Sequence, residues 1–204
     1  MADIGPACFN ETTFRQNAKR IAALLAITDY VPAAGRPVLG WPWRETSHCV
    51  MKPLVIDLYC GLGGWSEAFI AQGYRAVGFD VEKHDYGTGG YPGELVLRDV
   101  RSITGAELVQ QYGVPACIVA SPPCQEFSYM AMPWSKAKEK ERKIQADPAE
   151  RTRLTDLFNQ CFRIQREVSE AVPIVIENVR GAQKWVGKAR WNFGSFYLWG
   201  DVPA

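Results

Sequence analysis

Along most of this chain, short apolar runs alternate with amphipathic stretches, and the two periods predict strands and helices in turn. Leu54-Val55-Ile56-Asp57-Leu58-Tyr59 is a short apolar run, the mark of a strand buried on both faces. Residues 65–72 predict a helix that Gly73 stops as a C-terminal cap. Arg75-Ala76-Val77-Gly78-Phe79 predicts a second strand, ending at Asp80. Residues 84–93 are rich in Gly and Pro and exclude a regular helix, and 94–99 predict a third strand. Thr104 and Glu107 form a capping box for a helix over 105–112, which Gly113 ends. Ala116 to Ala120 predicts a fourth strand. Leu154, Leu157, Phe158, Cys161, Ile164 and Val168 share one face of a helix predicted over 151–171. Ile174-Val175-Ile176 starts a fifth strand, and Phe196 to Trp199 predicts a sixth.

The first 50 residues read differently. Residues 14–27 predict a helix, residues 31–43 a loop rich in Pro, Gly and Trp, and Met51 stands where a chain could start. Residues 1–50 are therefore expected to be an extension. From residue 53 onward, strand–helix alternation implies an α/β fold, a doubly wound and mostly parallel sheet with helices on both faces. In such sheets ligands bind at the carboxyl ends of the strands. The loops after residues 58, 80, 99, 120 and 176 are the candidate site.

Composition narrows the class. The chain has 204 residues, 47% hydrophobic and 22% charged, which excludes disordered and collagen-like classes. Its longest apolar run, Ile21 to Ile27, is far short of the roughly 20 residues that cross a bilayer, so no membrane association is expected. With no signal peptide read at the start, a cytoplasmic setting is expected. Net charge is +1, which leaves a polyanionic partner possible only through a localised basic face. Cys8, Cys49, Cys60, Cys117, Cys124 and Cys161 include no C-x-x-C pair, so neither a zinc site nor a disulfide scaffold is expected.

The strand ends carry the candidate chemistry. Asp57-Leu-Tyr-Cys-Gly61-Leu-Gly63-Gly64 is a Gly-rich turn from strand to helix, through which backbone N–H groups can approach a ligand. Alone it fits a dinucleotide site or a plain turn equally, though G-x-G-G is not G-x-G-x-x-G. Asp80 and Asp99 end the second and third strands, where carboxylates accept ribose hydroxyls or merely cap turns. Ser121-Pro122-Pro123-Cys124-Gln125-Glu126-Phe127-Ser128 sets a thiol at a strand tip behind two stiffening prolines. Ile176-Glu177-Asn178-Val179 sets an acid at the end of a buried strand, which is costly without a partner.

DLYCGLGG, SPPCQEFS and IENVRG, in this order, resemble the cytosine-5 DNA methyltransferases over roughly residues 53–179. The resemblance implies the Rossmann-like fold of S-adenosylmethionine-dependent methyltransferases and a catalytic domain over 51–204. It implies that Cys124 is the nucleophile and Glu177 its acid partner. It implies that Asp57, Tyr59, Gly61, Leu62, Gly63 and Gly64 hold S-adenosyl-L-methionine, with Asp80 and Asp99 on ribose and adenine and Pro123 on the methyl-donor side. No metal is implied. The substrate implied is double-stranded DNA, with the target base flipped out, in a bacterial or phage setting such as restriction–modification. Residues 125–150 fit the family's mobile loop, and the mainly basic stretch 136–143 would suit phosphate contact or a solvated helical face. Trp134, Met130 and Met132 are candidates to fill space at the flipped base.

The resemblance also departs from the family. Q-x-R-x-R, a target-recognition region and a closing G-N-x-V helix are not found after Val179, although Gln183, Lys188 and Arg190 lie near the arginine segment's position. The expectation is therefore a truncated form, a fragment, or half of a split enzyme with a complementary C-terminal segment or second chain. An RNA cytosine-5 methyltransferase acting on tRNA, or an inactive cofactor- and DNA-binding fragment, are the competing readings. Gln125 and Ser128 follow the DNA pattern.

Overall fold

The computed structural model describes residues 52–85, 89–128 and 133–202. The helix expected over 14–27, the loop over 31–43 and the roles suggested for Met130 and Met132 lie outside those residues, as does the side chain of Trp134.

Seven strands form one sheet in the order β3-β2-β1-β4-β5-β7-β6. They are β1 (Leu54–Leu58), β2 (Arg75–Asp80), β3 (Glu94–Leu97), β4 (Cys117–Ala120), β5 (Ile174–Asn178), β6 (Trp191–Phe193) and β7 (Phe196–Gly200). The first five run parallel, and β7 is antiparallel to both β5 and β6. Every residue of β1, β4 and β5 is buried, which is why these segments read as largely apolar runs.

Helices cover both faces. α1 (Gly64–Ile70) seals one face through Trp65, Ala68 and Phe69, packed against Val55, Val119 and Val175. α2 (Gly105–Tyr112) and α4 (Pro148–Val168) seal the other, where Leu108, Phe158 and Ile164 pack on Ile56, Ile118 and Ile176. Each fully buried Ile, Leu or Phe contributes about 1.5–3 kcal/mol. α3 (Trp134–Ala146) packs beside α4, and a single turn, α5 (Gln183–Val186), precedes the β6–β7 hairpin. Among the described residues, no helix is long and apolar enough to cross a membrane.

Several boundaries shift for local reasons. α4 runs over 148–168, not 151–171, because Asp147 caps it by accepting from Ala149 N–H at 2.8 Å and Pro148 fits its first turn. β3 ends at Leu97, since Asp99 already caps a 3-10 turn over Val100–Ser102. Much of the stretch read as a loop over 125–150 is helical, as α3 and the start of α4. The strand expected at 196–199 is the seventh, because Trp191–Phe193 forms a short sixth.

Candidate active site

The loops after β1 to β5 lie along one edge of the sheet, and β1, β4 and β5 are neighbours in it. The Gly-rich turn leaves β1 at Tyr59, whose backbone is left-handed with φ 56°. A non-Gly residue there stores of order 1–2 kcal/mol, and the structure ties it down. Tyr59 donates its hydroxyl to Leu157 O of α4 at 2.9 Å. Burial pushes its phenol far up, so it stays a donor.

Gly61 also has a positive φ, 51°, and an added Cβ would meet nothing within 4 Å, so open space lies before it. Its N–H donates to Asp80 Oδ2 at 2.9 Å, and Val81 N–H donates to Oδ1 at 2.8 Å. Asp80 therefore joins the end of β2 to the Gly-rich turn. Gly63 serves packing: a Cβ there would lie 2.5 Å from Pro92 and 2.7 Å from the Tyr91 ring. Leu62 is half-buried on the turn, and Gly64 begins α1.

Asp57 lies beneath the turn. Its carboxylate is buried and accepts from Ser66 Oγ at 2.7 Å, while Oδ1 has no partner. Ser66 also meets the Tyr91 hydroxyl, whose ring fills the space that glycine leaves at Gly63 and Gly78. Burial raises the Asp57 pKa to about 8, against the lowering effect of Ser66.

Asp99 stands apart from this cluster in its contacts. It accepts from Arg101 N–H at 2.9 Å and pairs with the Arg101 guanidinium at 2.7 Å, which holds its pKa down. Arg101 in turn lines a cavity of about 470 Å³ with Pro123, Phe127, Leu154, Leu157 and Phe158. Tyr59 links the Gly-rich turn to this cavity wall through Leu157. A turn with open space, acids at the neighbouring strand ends and a half-apolar cavity suit a nucleoside-bearing ligand.

Cys124 lies on the loop after β4. It is partly exposed, whereas Cys60, Cys117 and Cys161 are buried, and burial holds those three thiols far above their usual range. Cys124 O accepts from Phe127 N–H and Ser128 N–H, both at 3.0 Å, so the residues that follow fold back over it. The loop is clamped from β5: Asn178 Nδ2 donates to Pro122 O at 2.9 Å, and Asn178 Oδ1 accepts from Val179 N–H at 2.8 Å.

Glu177 is 8% exposed at the end of β5, next to that clamp. Burial raises its pKa to about 7, and a hydrogen bond from the Ser121 side chain offsets part of the rise. A carboxyl poised near neutrality beside a thiol loop suits proton transfer at pH 7.

The sequence singles out Cys124, Glu177, Pro123 and the Gly-rich turn, and β1, β4 and β5 bring them to one edge of the sheet. It does not single out Leu157, which reads only as one of a helix's apolar face. Nor does it single out Tyr91, whose only trace is that Gly63 and Gly78 lack side chains. Among the described residues, no three His, Cys, Asp or Glu side chains cluster to hold a metal.

A model of the family described as C-5 cytosine-specific DNA methylase matches residues 54–189. No curated protein matches the chain in sequence. Among solved structures, the plantazolicin methyltransferase BpumL in complex with a desmethyl analogue and SAH is similar at 10% identity and a TM-score of 0.42, over 86% of this chain and 50% of that one. Magnesium protoporphyrin IX methyltransferase (ChlM) from Synechocystis PCC 6803 with bound SAM is similar at 11% identity and a TM-score of 0.47, over 95% and 81%. A S-adenosylmethionine-dependent methyltransferase from Clostridium acetobutylicum is similar at 12% identity and a TM-score of 0.36, over 74% and 55%. The chain spans about half the length of the BpumL chain it matches. At these scores the three likenesses carry no functional argument.

Proposed function

The chain belongs to the C-5 cytosine-specific DNA methylase family, and from that premise we propose that it methylates carbon 5 of cytosine in double-stranded DNA through a covalent adduct at Cys124. The observation that carries this reading is the pairing of an accessible cysteine, Cys124, with a buried acid near neutrality, Glu177, at adjacent strand ends. In this reading residues 51–204 are the catalytic domain. The Gly-rich turn with Asp80, Asp99 and Pro123 holds S-adenosyl-L-methionine, and Asp57 supports the turn from below.

When bound, S-adenosylmethionine supplies an electrophilic sulfonium methyl. The chain's own residues do the rest. Carbon 5 of cytosine is a poor nucleophile until Cys124 Sγ, as thiolate, adds at carbon 6. That bond turns the ring into an enamine, nucleophilic at carbon 5. Protonated Glu177 hydrogen-bonds N3 and stabilises the charge that develops there. After carbon 5 has gained the methyl, its proton passes to water, the C–H electron pair restores the 5,6 double bond, and the Sγ–C6 bond breaks to release the Cys124 thiolate. A thiol cannot reach carbon 6 in a stacked duplex, so the base is flipped out.

Label transfer from methyl-tritiated S-adenosylmethionine to duplex DNA tests this. Label recovered as 5-methylcytosine is expected, with at least about a thousandfold loss in Cys124→Ser. Transfer to tRNA and not to DNA would overturn the substrate, and transfer that survives Cys124→Ser would overturn the mechanism.

A further inference from the structure

The sheet face under α1 carries a hydrogen bond, from Trp65 to Ser121, that the reaction above leaves unused. The β4–β5 register pairs Ala120 with Ile176, so the next step along both strands sets Ser121 opposite Glu177. From above, Trp65 of α1 donates its indole N–H to Ser121 Oγ at 3.1 Å. An indole can only donate, and a serine hydroxyl has a single proton. With Trp65 occupying one acceptor site of Ser121, that proton is left to point elsewhere, and the Ser121 side chain is the hydrogen-bond partner of Glu177. With Glu177 ionised, this chain runs from the indole, through the hydroxyl, to the carboxylate.

We propose that Trp65 and Ser121 are positioning residues that set the proton affinity and orientation of Glu177. The inference rests on the proposed role of Glu177. A donor aimed at a carboxylate favours its charged form and opposes the effect of burial. Other titratable groups stand on the elements around Glu177: Cys124 and Glu126 after β4, Tyr197 on β7, Arg180 after β5 and Lys184 on α5. Burial raises its proton affinity, and the Ser121 hydroxyl opposes that rise. Trp65 is 2% exposed, and its hydrogen bond to Ser121 joins the cofactor-side helix to the acid.

Carboxyl carbon-13 NMR of the full chain reads this, with the Glu177 resonance assigned by its loss in Glu177→Gln. In Ser121→Ala the Glu177 midpoint is expected to rise by about 0.5–1 pH unit. Trp65→Phe should raise it less, and Ser121→Thr, which keeps the hydroxyl, should leave it near wild type. The alkaline limb of the methyl-transfer rate should move upward with the midpoint, because the protonated acid persists to higher pH. An unmoved midpoint in Ser121→Ala overturns the inference. A midpoint that rises while the rate profile stays in place upholds it, and removes instead the catalytic role of Glu177 on which it rests.

Discussion

At the scale of single residues, the site is a set of polar groups held in places that cost free energy. Asp57 is the plainest case: a carboxyl inside the core, with one oxygen on Ser66 and the other unpartnered. Its folded pKa of about 8 lies well above the ordinary aspartate value, so the folded state binds the extra proton. By linkage its contribution is intact below about pH 4 and is lost as pH rises toward 8. Asp57→Asn removes that titration. The variant's melting temperature should fall less than wild type's between pH 5 and pH 8, and parallel profiles would contradict the assignment. The sequence marks Asp57 as an acid in an apolar run next to a Gly-rich turn. It does not tell whether the carboxyl faces a ligand or the core, because that depends on Tyr91, 34 positions on, filling the space at Gly63 and Gly78. Cys124 and Glu177 could be singled out as candidates because strand ends and short motifs are local. Trp65 and Ser121 were not, because their partnership needs the β4–β5 register and a helix laid across it.

At the scale of elements, caps and apolar periods were readable and long-range contacts were not. The capping box of α2 is present in both directions, with Thr104 Oγ1 accepting from Glu107 N–H at 3.2 Å and Glu107 accepting from Thr104 N–H at 3.0 Å. The β6–β7 hairpin is less legible because Trp191-Asn192-Phe193 is a largely exposed edge strand of three residues, too short for its alternation to stand out. The charged stretch over 136–143 is the middle of α3, where Lys140 pairs with Glu126 at 2.9 Å and Lys143 with Glu139 at 3.0 Å. α2 and α4 approach closely at Gly105: a Cβ there would lie 2.5 Å from the Glu167 backbone, and Gly105 N–H donates to Glu167 Oε2 at 2.8 Å. Gly105→Ala must push the helices apart, at a cost of about 1–3 kcal/mol. Urea unfolding should show a lowered midpoint with an unchanged slope, and a midpoint at or above wild type would contradict that contact.

At the scale of the whole molecule, the alternation of apolar and amphipathic segments led to a doubly wound sheet, and the order β3-β2-β1-β4-β5-β7-β6 supplies what alternation could not: which strand ends are neighbours. That order sets the Gly-rich turn after β1 beside the Cys124 loop after β4, and the Cys124 loop beside Glu177 on β5. A net charge of +1 says little about partners until the fold shows where the cations gather, and α3 carries five of them: Lys136, Lys138, Lys140, Arg142 and Lys143. The central claim is that Cys124 attacks carbon 6 of cytosine. The most direct measurement is mass spectrometry of the chain after incubation with S-adenosylmethionine and duplex DNA containing 5-fluorocytosine. Fluorine at carbon 5 leaves no proton to remove once the methyl is on, so the Sγ–C6 bond cannot be expelled and the adduct persists. The account predicts a methylated fluorocytosine nucleotide joined to the peptide carrying Cys124, and none in Cys124→Ser. An adduct on another residue, or none from wild-type chain that methylates unsubstituted DNA, would contradict it.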